Sequence, residues 1–393
     1  MPENEIQIRH VTVGELEAYA SNIVAAANPG DFIPITLQRA YAMANNPFAD
    51  PDDVALLTAY SGEQLVGYFG IMAVGLHDGQ AQHKAHWFTT WMVSPKFLGR
   101  GVGSMLMQAA LELEKDYFIV GSKPARRVCD KFGFERLPPY EFVVLDLGLA
   151  GRFNLVSLAL RLLRKLVNLL GGTLDIHRPS QAAERFFEGL LGWLVRPLLS
   201  TFVRRKAAKG SADFRFEPVS KVRKPEGAGG AGDEKPRLAR GVEAVNWMLA
   251  YPWVLPPGGS QTEDLDFYFS DTRSEIDIWA VEAHHDGYCG YAAFQFSLMR
   301  GRRVLKVLDV ESRPGDGGFV LKAALQAAGQ KRAQQIELAP EHAASLTGGW
   351  IDSLLLRRRR RIYQVHPRSA DSSLAKVKDR LVLHYTDGDT PFT

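Results

Sequence analysis

Apolar and polar positions follow two different periods along the first 150 residues. Alternating or continuous apolar runs predict strands, and apolar residues that recur every three or four positions predict helices. The predicted strands cover residues 5–12, 54–60, 64–76, 87–93, 117–120 and 140–147. The predicted helices cover residues 13–27, 31–45, 102–115 and 123–132. This order predicts an α/β fold in which a mixed sheet carries helices on its faces.

The same kinds of segment recur after residue 210. Strands are predicted at 214–219, 277–283, 288–298, 303–310, 335–338, 361–365 and 380–385, and helices around Trp247 and at 318–330 and 341–356. Their order resembles that of the first half. We therefore expect two α/β domains, at 1–150 and 210–393, joined by a segment at 151–209.

The joining segment has a composition of its own. Residues 152–209 hold eleven Lys and Arg against three Asp and Glu, and leucines recur at helical spacing among them. Two interpretations stay open. The segment forms linker helices docked between the domains, or it is a basic amphipathic surface that rests on a membrane through residues 152–206.

The cysteine content of the chain fits a reducing compartment. Its 393 residues include two cysteines, Cys129 and Cys289, which cannot build a disulfide framework. The N-terminus lacks the basic-then-apolar pattern of a signal peptide, and no apolar run reaches the length of a bilayer. We expect a cytoplasmic protein, with peripheral contact at the inner membrane surface as the alternative.

The segment from Trp91 to Leu106 carries the strongest chemical signal. An apolar strand is followed by a turn at Pro95, by glycines at positions 99, 101 and 103, and by an amphipathic helix. Glycine lets the backbone approach a ligand closely, and the unpaired N–H groups of a first helical turn attract anions. Neither a Walker lysine nor the spacing of a dinucleotide motif is present. The segment therefore predicts a backbone cradle for a pyrophosphate.

A second motif follows some 30 residues later and reads Ala125-Arg-Arg-Val-Cys-Asp-Lys-Phe-Gly-Phe134. Together the two motifs resemble those of the GNAT superfamily of acyl-CoA N-acyltransferases, over about residues 5–147. The first family motif is a strand followed by Gln/Arg-x-x-Gly-x-Gly/Ala, and the second is roughly Ala-x-x-x-Tyr-x-x-x-Gly-Phe. Here Leu98 replaces the Gln or Arg, and Cys129 replaces the tyrosine that protonates the departing thiolate.

The resemblance implies acetyl-CoA as co-substrate, no metal, and tandem GNAT-like domains of which the second is degenerate. In the second copy, Asp316 would put a negative charge where a phosphate should bind. In the first copy, strand 87–93 is expected to separate from its neighbour, so that Met92 and Val93 pair with the pantetheine arm and a backbone N–H serves as oxyanion donor. The diphosphate is expected on the backbone of Leu98, Gly99, Arg100, Gly101, Val102, Gly103 and Ser104.

Four side chains are candidates for proton transfer. In a regular strand His86, Phe88, Thr90 and Met92 share one face, which would bring His86 and Thr90 to the acceptor cleft. Glu141 begins the last strand of the first domain, and Cys129 is a candidate proton donor. Ordinary structural roles stay open for these residues, since strand-end histidines, surface carboxylates and buried cysteines are common.

The run of arginines at 357–361 raises the question of a nucleic-acid partner. Modules that bind nucleic acid interleave aromatic residues with the basic patch, and only Tyr363 is near. A salt-bridged face is therefore the favoured interpretation, an anionic substrate such as a nucleotide-sugar stays open, and nucleic acid is not expected.

The favoured function is that of an N-acetyltransferase, which moves acetyl from acetyl-CoA to an amine of a small molecule such as an amino-sugar or an amino acid. An aminoacyl transferase resembling the tandem peptidoglycan ligases is a second enzymatic interpretation, but such enzymes do not need the Gly101-x-Gly103 turn. A protein of another class, catalytically silent and binding acyl-CoA or a membrane surface, is the alternative that Leu98 and Cys129 favour.

Overall fold

The chain forms two mixed α/β sheets that are joined by exchanged strands. The computed structural model describes residues 6–147, 213–227, 235–254, 265, 275–299, 302–346 and 356–392. The helices predicted at 152–206 therefore lie outside the described residues. Within the described ranges, no helix is both long enough and apolar enough to cross a membrane.

The first sheet and its helices come almost entirely from the N-terminal part of the chain. Its strands are β1 (Ile6–Thr12), β2 (Val54–Ser61), β3 (Gln64–His77), β4 (Gln82–Val93), β5 (Tyr117–Ile119) and β6 (Glu135–Arg136). Its helices are α1 (Leu16–Ala26), α2 (Leu37–Ala44), α3 (Val102–Leu111) and α4 (Lys123–Lys131). All neighbours among β1 to β4 are antiparallel, and β4 and β5 are parallel.

The second sheet repeats this pattern of antiparallel strands that end in a parallel pair. Its elements are β7 (Tyr140–Asp146), β8 (Arg215–Val219), α5 (Val242–Ala250), β10 (Ile276–His284), β11 (Tyr288–Met299), β12 (Arg302–Ser312), α6 (Phe319–Gln330), β13 (Gln335–Leu338) and β14 (Leu356–Arg361). A short strand β9 (Arg237–Leu238) pairs with β3 of the first sheet. The parallel pair is β12 with β13, and the strand order is β14-β7-β13-β12-β11-β10-β8. The chain is thus a mixed α/β protein with two sheets, as the sequence predicted.

Each sheet takes a strand from the other half of the chain. Strand β7 lies between β13 and β14 of the second sheet, and β15 (Gln364–His366) lies between β5 and β6 of the first. The exchange covers the strand edges that β5 and β13 would otherwise expose. The sequence placed strand 140–147 last in the first domain, and this placement is wrong. The alternating pattern predicted a buried strand but could not identify its neighbours.

Ion pairs fasten the exchanged strand β7. The Arg357 guanidinium lies 2.6 Å from the buried carboxylate of Asp146, and that of Arg360 lies 2.8 Å from Glu141. Arg359 lies 3.5 Å from Glu337 on β13, and Arg361 donates to the carbonyl of Tyr385. The arginine run is therefore largely a salt-bridged strand, which agrees with the favoured interpretation. The boundaries 1–150 and 210–393 stay predictions, because the sheets do not follow them.

The two faces of the first sheet bury separate cores. On the face covered by α1 and α2, called the α1–α2 face, Trp87 stacks on Phe118 and meets Tyr363 edge-on. On the face covered by α3 and α4, called the α3–α4 face, Phe88 packs with Leu106 and with the other apolar residues of those helices. Both cores are aromatic-rich and fully buried, so the sheet between them is a rigid support.

Cys129 belongs to the core of the α3–α4 face. It is fully buried and free of any disulfide. Burial and the neighbouring Asp130 carboxylate raise the pKa of its thiol to about 12. This is the ordinary structural role that the sequence left open, because a thiol held in apolar surroundings stays protonated and inert.

Some predicted elements differ from those observed. Helix 31–45 begins only at Leu37, because the hydroxyl of Thr36 accepts a hydrogen bond from the Arg39 N–H and caps it. In the predicted helix 341–356, the first part is a 3₁₀ helix at Pro340–Leu346, and Leu356 already belongs to β14. The predicted strand 380–385 forms only an isolated bridge.

Residues 381–392, called here the C-terminal segment, run between the two sheets. The Tyr385 hydroxyl lies within hydrogen-bonding distance of the carbonyl oxygens of Val307 on β12 and Glu337 on β13. The Thr386 hydroxyl donates to the next carbonyl, that of Leu308, at 2.7 Å. The C-terminal segment thus fills the gap that opens where β12 and β13 diverge.

The strand exchange predicts that the halves of the chain are interdependent. A fragment of residues 1–147 would expose the edge of β5 and leave β7 without β13 and β14, so we expect it to be aggregated or unfolded. The full chain cut at a protease site inserted between residues 148 and 212 should stay together in gel filtration. A fragment 1–147 that melts cooperatively at the temperature of the whole chain would contradict this.

The burial of Cys129 predicts an unreactive thiol. At pH 8 the folded protein should resist alkylation by iodoacetamide at both cysteines, since both are buried. In concentrated guanidinium chloride both should react, which provides the control. Peptide mapping that finds Cys129 alkylated within minutes in the folded protein would place its thiol outside the core.

Candidate functional site

The glycine turn before α3 has an open, left-handed backbone. Gly99 and Gly101 have φ values of 79° and 81°, and Gly101 is the N-cap of α3. A methyl group added to either glycine would meet no atom within 4 Å. The turn is therefore exposed to solvent rather than blocked by side chains, and its conformation favours glycine.

The first turn of α3 presents unpaired N–H groups to this open space. The N–H of Met105 donates to the carbonyl of Gly101, which starts the helical ladder. No described residue accepts a hydrogen bond from the N–H groups of residues 101–104, and α3 has no acidic residue in its first turn. Leu98 and Arg100 are exposed beside the turn. Unpaired donors and the positive end of the helix dipole together make an anion site.

Strands β4 and β5 separate just before this turn. They pair only over three residues, from His86 opposite Tyr117 to Phe88 opposite Ile119. Beyond Phe88, β4 continues along β3 while its other edge has no strand neighbour among the described residues. The predicted separation of strand 87–93 is therefore present.

The open edge presents alternate residues of β4. Ser94 donates to the carbonyl of Val66 on β3, so Met92, two positions earlier, also points its N–H and carbonyl towards β3. Trp91 and Val93 then direct theirs to the open side. Of the two residues predicted to pair with a ligand backbone, Val93 faces the gap and Met92 faces the sheet.

A β-bulge at Thr90 changes which side chains share a face. Thr89 pairs with Gly70 and Trp91 pairs with Phe69, so Thr90 is an extra residue with a φ of 31°. Phe88 and Trp91 consequently pack on the α3–α4 face, whereas Met92 packs on the α1–α2 face. The prediction that His86, Phe88, Thr90 and Met92 share one face is wrong.

His86 lies in the closed part of the sheet. It is 4% exposed, its ring meets Tyr117 edge-on, and its Nε2 lies 3.8 Å from the carboxylate of Asp53. His86 lies two residues before Phe88, the last residue of β4 that pairs with β5. Its position is that of a buried structural histidine rather than of a cleft residue.

The structure places Thr89 and Thr90 at the point of separation, on the α1–α2 face. The buried Oγ1 of Thr90 has no hydrogen-bond partner among the described residues. A methyl group added to Gly70 would collide both with this Oγ1 and with the guanidinium of Arg39, so the two groups lie close together. Arg39 is fully buried. Arg39 in turn stacks on Trp253, 4.7 Å from the ring centre. The side chains beside the bulge are therefore polar and buried.

A carboxylate from the C-terminal segment reaches the same point. The Thr89 hydroxyl donates to Oδ2 of Asp389 at 2.9 Å, and Asp389 is partly exposed. Asp389 also lies near Lys306 of the second sheet. Burial lowers the pKa of the Lys306 ammonium to about 8. No motif in the sequence signals Asp389, since 300 residues separate it from Thr89. Glu141, the predicted carboxylate, pairs with Arg360 in the second sheet instead.

The second sheet has neither an open strand edge at its parallel pair nor an open glycine turn in the described part of the chain. Its parallel pair also separates, but the C-terminal segment occupies the gap. Its turn at 313–318 is closed on itself by an ion pair between Arg313 and Asp316 at 2.8 Å. In neither sheet do three or more described histidines, cysteines or carboxylates come together as a metal site.

The first sheet and its helices are similar to a known protein family. The sequence model of the acetyltransferase (GNAT) family matches residues 22–134. A comparison with curated protein sequences found no match. The matched range contains the bulged strand, the glycine turn and the α4 helix that the sequence analysis singled out.

Solved structures with a similar arrangement span most of the chain. A GCN5-related N-acetyltransferase from Kribbella flavida is 13% identical, with a TM-score of 0.42 over 92% of this chain and 71% of its own. A GCN5-related N-acetyltransferase from Anabaena variabilis is 10% identical, with a TM-score of 0.43 over 93% and 74%. A probable N-acyltransferase from Enterococcus faecalis is 10% identical, with a TM-score of 0.47 over 94% and 74%. At these identities and scores the likenesses say nothing about the substrate.

The family match agrees with the two motifs and with the open turn and strand edge that they build. Residues 22–134, which carry the open turn and the open strand edge, therefore match the acetyltransferase (GNAT) family.

Proposed function

We propose that the chain transfers an acetyl group from acetyl-CoA to the amine of a small molecule. One observation carries the proposal: an open strand edge at Trp91 and Val93 leads directly into a turn whose N–H groups are unpaired. An extended thioester arm that ends in a diphosphate matches both features in that order. The second sheet, by the same reasoning, is a degenerate copy that binds no acyl-CoA.

The backbone does most of the binding in this proposal. Unpaired N–H groups of residues 101–104 hold the diphosphate, with help from Gly99 and from the exposed Arg100. The open edge of β4 pairs with the amide groups of the pantetheine arm, as a further strand would. An N–H of that edge polarises the thioester carbonyl. Because these roles use main-chain atoms, Leu98 in place of Gln or Arg does not prevent them.

Asp389 supplies the proton acceptor that the sequence could not locate. The amine nitrogen attacks the carbonyl carbon, a C–N bond forms, the C–S bond breaks, and the electron pair of that bond leaves on sulfur. The amine loses one proton to the Asp389 carboxylate, which the Thr89 hydroxyl holds at the point of separation. Thr90 remains a candidate to line the acceptor side, because its buried hydroxyl has no hydrogen-bond partner among the described residues.

A catalytically silent acyl-CoA-binding protein is the second candidate. The observation that favours it is the position of Cys129, which stands in the place of the family's tyrosine but lies inside the core. In the transferase the thiolate then takes its proton from water or from protonated Asp389. Peripheral contact with a membrane would depend on residues 152–206, which lie outside the described part of the chain.

Acetyl-CoA should stabilise the folded chain, and a charge at the turn should abolish the effect. A ligand at 100 times its Kd adds about 2.7 kcal/mol to the free energy of unfolding. Replacing exposed Ser104 by Asp should weaken binding at least tenfold, because the new carboxylate competes for the same N–H groups. Thermal melts with and without millimolar acetyl-CoA provide the measurement.

Ser104→Ala is the matched control and should bind nearly as the native chain does. An acid in a first helical turn favours the helix, so the Ser104→Asp chain should fold normally without ligand. If acetyl-CoA shifts neither the native chain nor the control, both the transferase and the silent binder are excluded.

Substitution of Asp389 by Asn should separate the two candidates. In a transferase we expect kcat to fall about 100-fold, a typical loss for a proton acceptor, with KM for acetyl-CoA unchanged. The measurement is thiol release with a panel of small amines. Asp379→Asn, at an exposed site in the same part of the chain, is the control. Equal rates for the two variants would rule out the role of Asp389, and no release by the native chain with any amine would favour the silent binder.

A further inference from the structure

A polar cavity lies on the second sheet, away from the acyl-transfer site. It opens where β12 runs on beyond its pairing with β13, and its volume is about 210 Å³. The charged and imidazole groups of its lining are Arg237, Arg240, Asp309, Glu311, Glu341, and the pair His342 and His384.

Most of the fixed charge around this cavity is already neutralised. Arg240 lies 2.8 Å from Asp387 and 3.2 Å from Asp309. Asp309 also accepts hydrogen bonds from the Gly241 N–H at 2.9 Å and from the Tyr291 hydroxyl at 3.2 Å. This network forms one wall of the cavity and has little capacity left for a ligand.

Glu311 is different, because its charge is poorly compensated. Its Oε2 is buried and accepts no hydrogen bond from any described residue. Burial and the Asp309 carboxylate raise the pKa of Glu311, although Lys224, a hydrogen bond with the Tyr291 hydroxyl and Arg237 act in the opposite direction. The positive charge nearby is therefore too weak to stabilise this carboxylate fully.

The other groups of the lining add negative rather than positive character. Glu341 stands exposed at the cavity, with no ion-pair partner among the described residues. Burial lowers the pKa of His342, and burial together with Arg240 lowers that of His384 well below its usual value. Both imidazoles are then neutral at pH 7. A small cation would complete the electrostatics of the cavity.

We propose that this cavity is a second ligand site, separate from the acyl-transfer site, for a small molecule that carries one ammonium group between Glu311 and Glu341. The volume admits a compact amine. The C-terminal segment closes the neighbouring gap between β12 and β13, so the cavity is not the remnant of a usable acyl-CoA cleft. The site is built on β12 of the second sheet, with Arg237 of β9 and His384 of the C-terminal segment in its lining, and it does not depend on the proposed transferase activity.

The test uses the full chain with propylammonium chloride as the probe and 1-propanol as its neutral counterpart. Broadening of the probe's methyl resonance in proton NMR, at constant ionic strength, gives the Kd. We expect measurable binding of propylammonium, at least tenfold weaker or no binding of 1-propanol, and a loss of at least tenfold in Glu311→Gln. Asp379→Asn is the control for a general change in charge and should match the native chain.

Three outcomes would overturn the proposal. Equal binding of 1-propanol would show that charge plays no part. Native affinity in both Glu311→Gln and Glu341→Gln would show that the cavity is not the site. Loss of binding in Asp389→Asn but not in Glu311→Gln would place the amine at the acyl-transfer site instead. Should Glu311→Gln fail to fold, Glu341→Gln decides, because that side chain is exposed. Acetyl-CoA should stabilise Glu311→Gln as it stabilises the native chain. A loss of propylammonium binding in this variant can then be told apart from a failure of the acyl-transfer site.

Discussion

The structure depends on one constraint: a parallel pair of strands that separates leaves backbone donors and acceptors that need partners. In the first sheet, β4 and β5 pair over three residues and then diverge. In the second sheet, β12 and β13 do the same. The second sheet satisfies the freed carbonyls with its own chain, through Tyr385 and Thr386. The first sheet leaves its edge open, which is what a site for an extended ligand requires.

The C-terminal segment links these two solutions. At one end Tyr385 bridges the diverging strands of the second sheet, and four residues later Asp389 meets Thr89 in the first. The same segment therefore closes one gap and supplies a carboxylate to the other. Strand exchange through β7 and β15 fixes the sheets relative to each other, so that a short segment can reach both. In this arrangement the second sheet supports the C-terminal segment that contacts the first sheet at Thr89.

The sequence predicted what depends on local pattern and missed what depends on pairing across the chain. Strands and helices of the first sheet follow from periodicity, and the open turn follows from Gly99 and Gly101, whose left-handed conformation few other residues adopt. Strand 140–147 was predicted correctly as a strand, yet its neighbours are set by Arg357, Arg360 and the rest of β14, over 200 residues away. Asp389 could not be found for the same reason.

The bulge at Thr90 shows why side-chain roles were harder to predict than backbone roles. One inserted residue reverses the alternation of every position after it, so His86 and Met92 lie on opposite faces although a regular strand would place them together. Predictions about main-chain atoms are not affected by the bulge, because the turn and the open edge are present whichever face a side chain takes. The position of a proton-accepting side chain, in contrast, depends on the face that the side chain takes. Its place is decided by where β4 leaves β5, and a carboxylate from a distant segment meets that point as well as one from the strand itself.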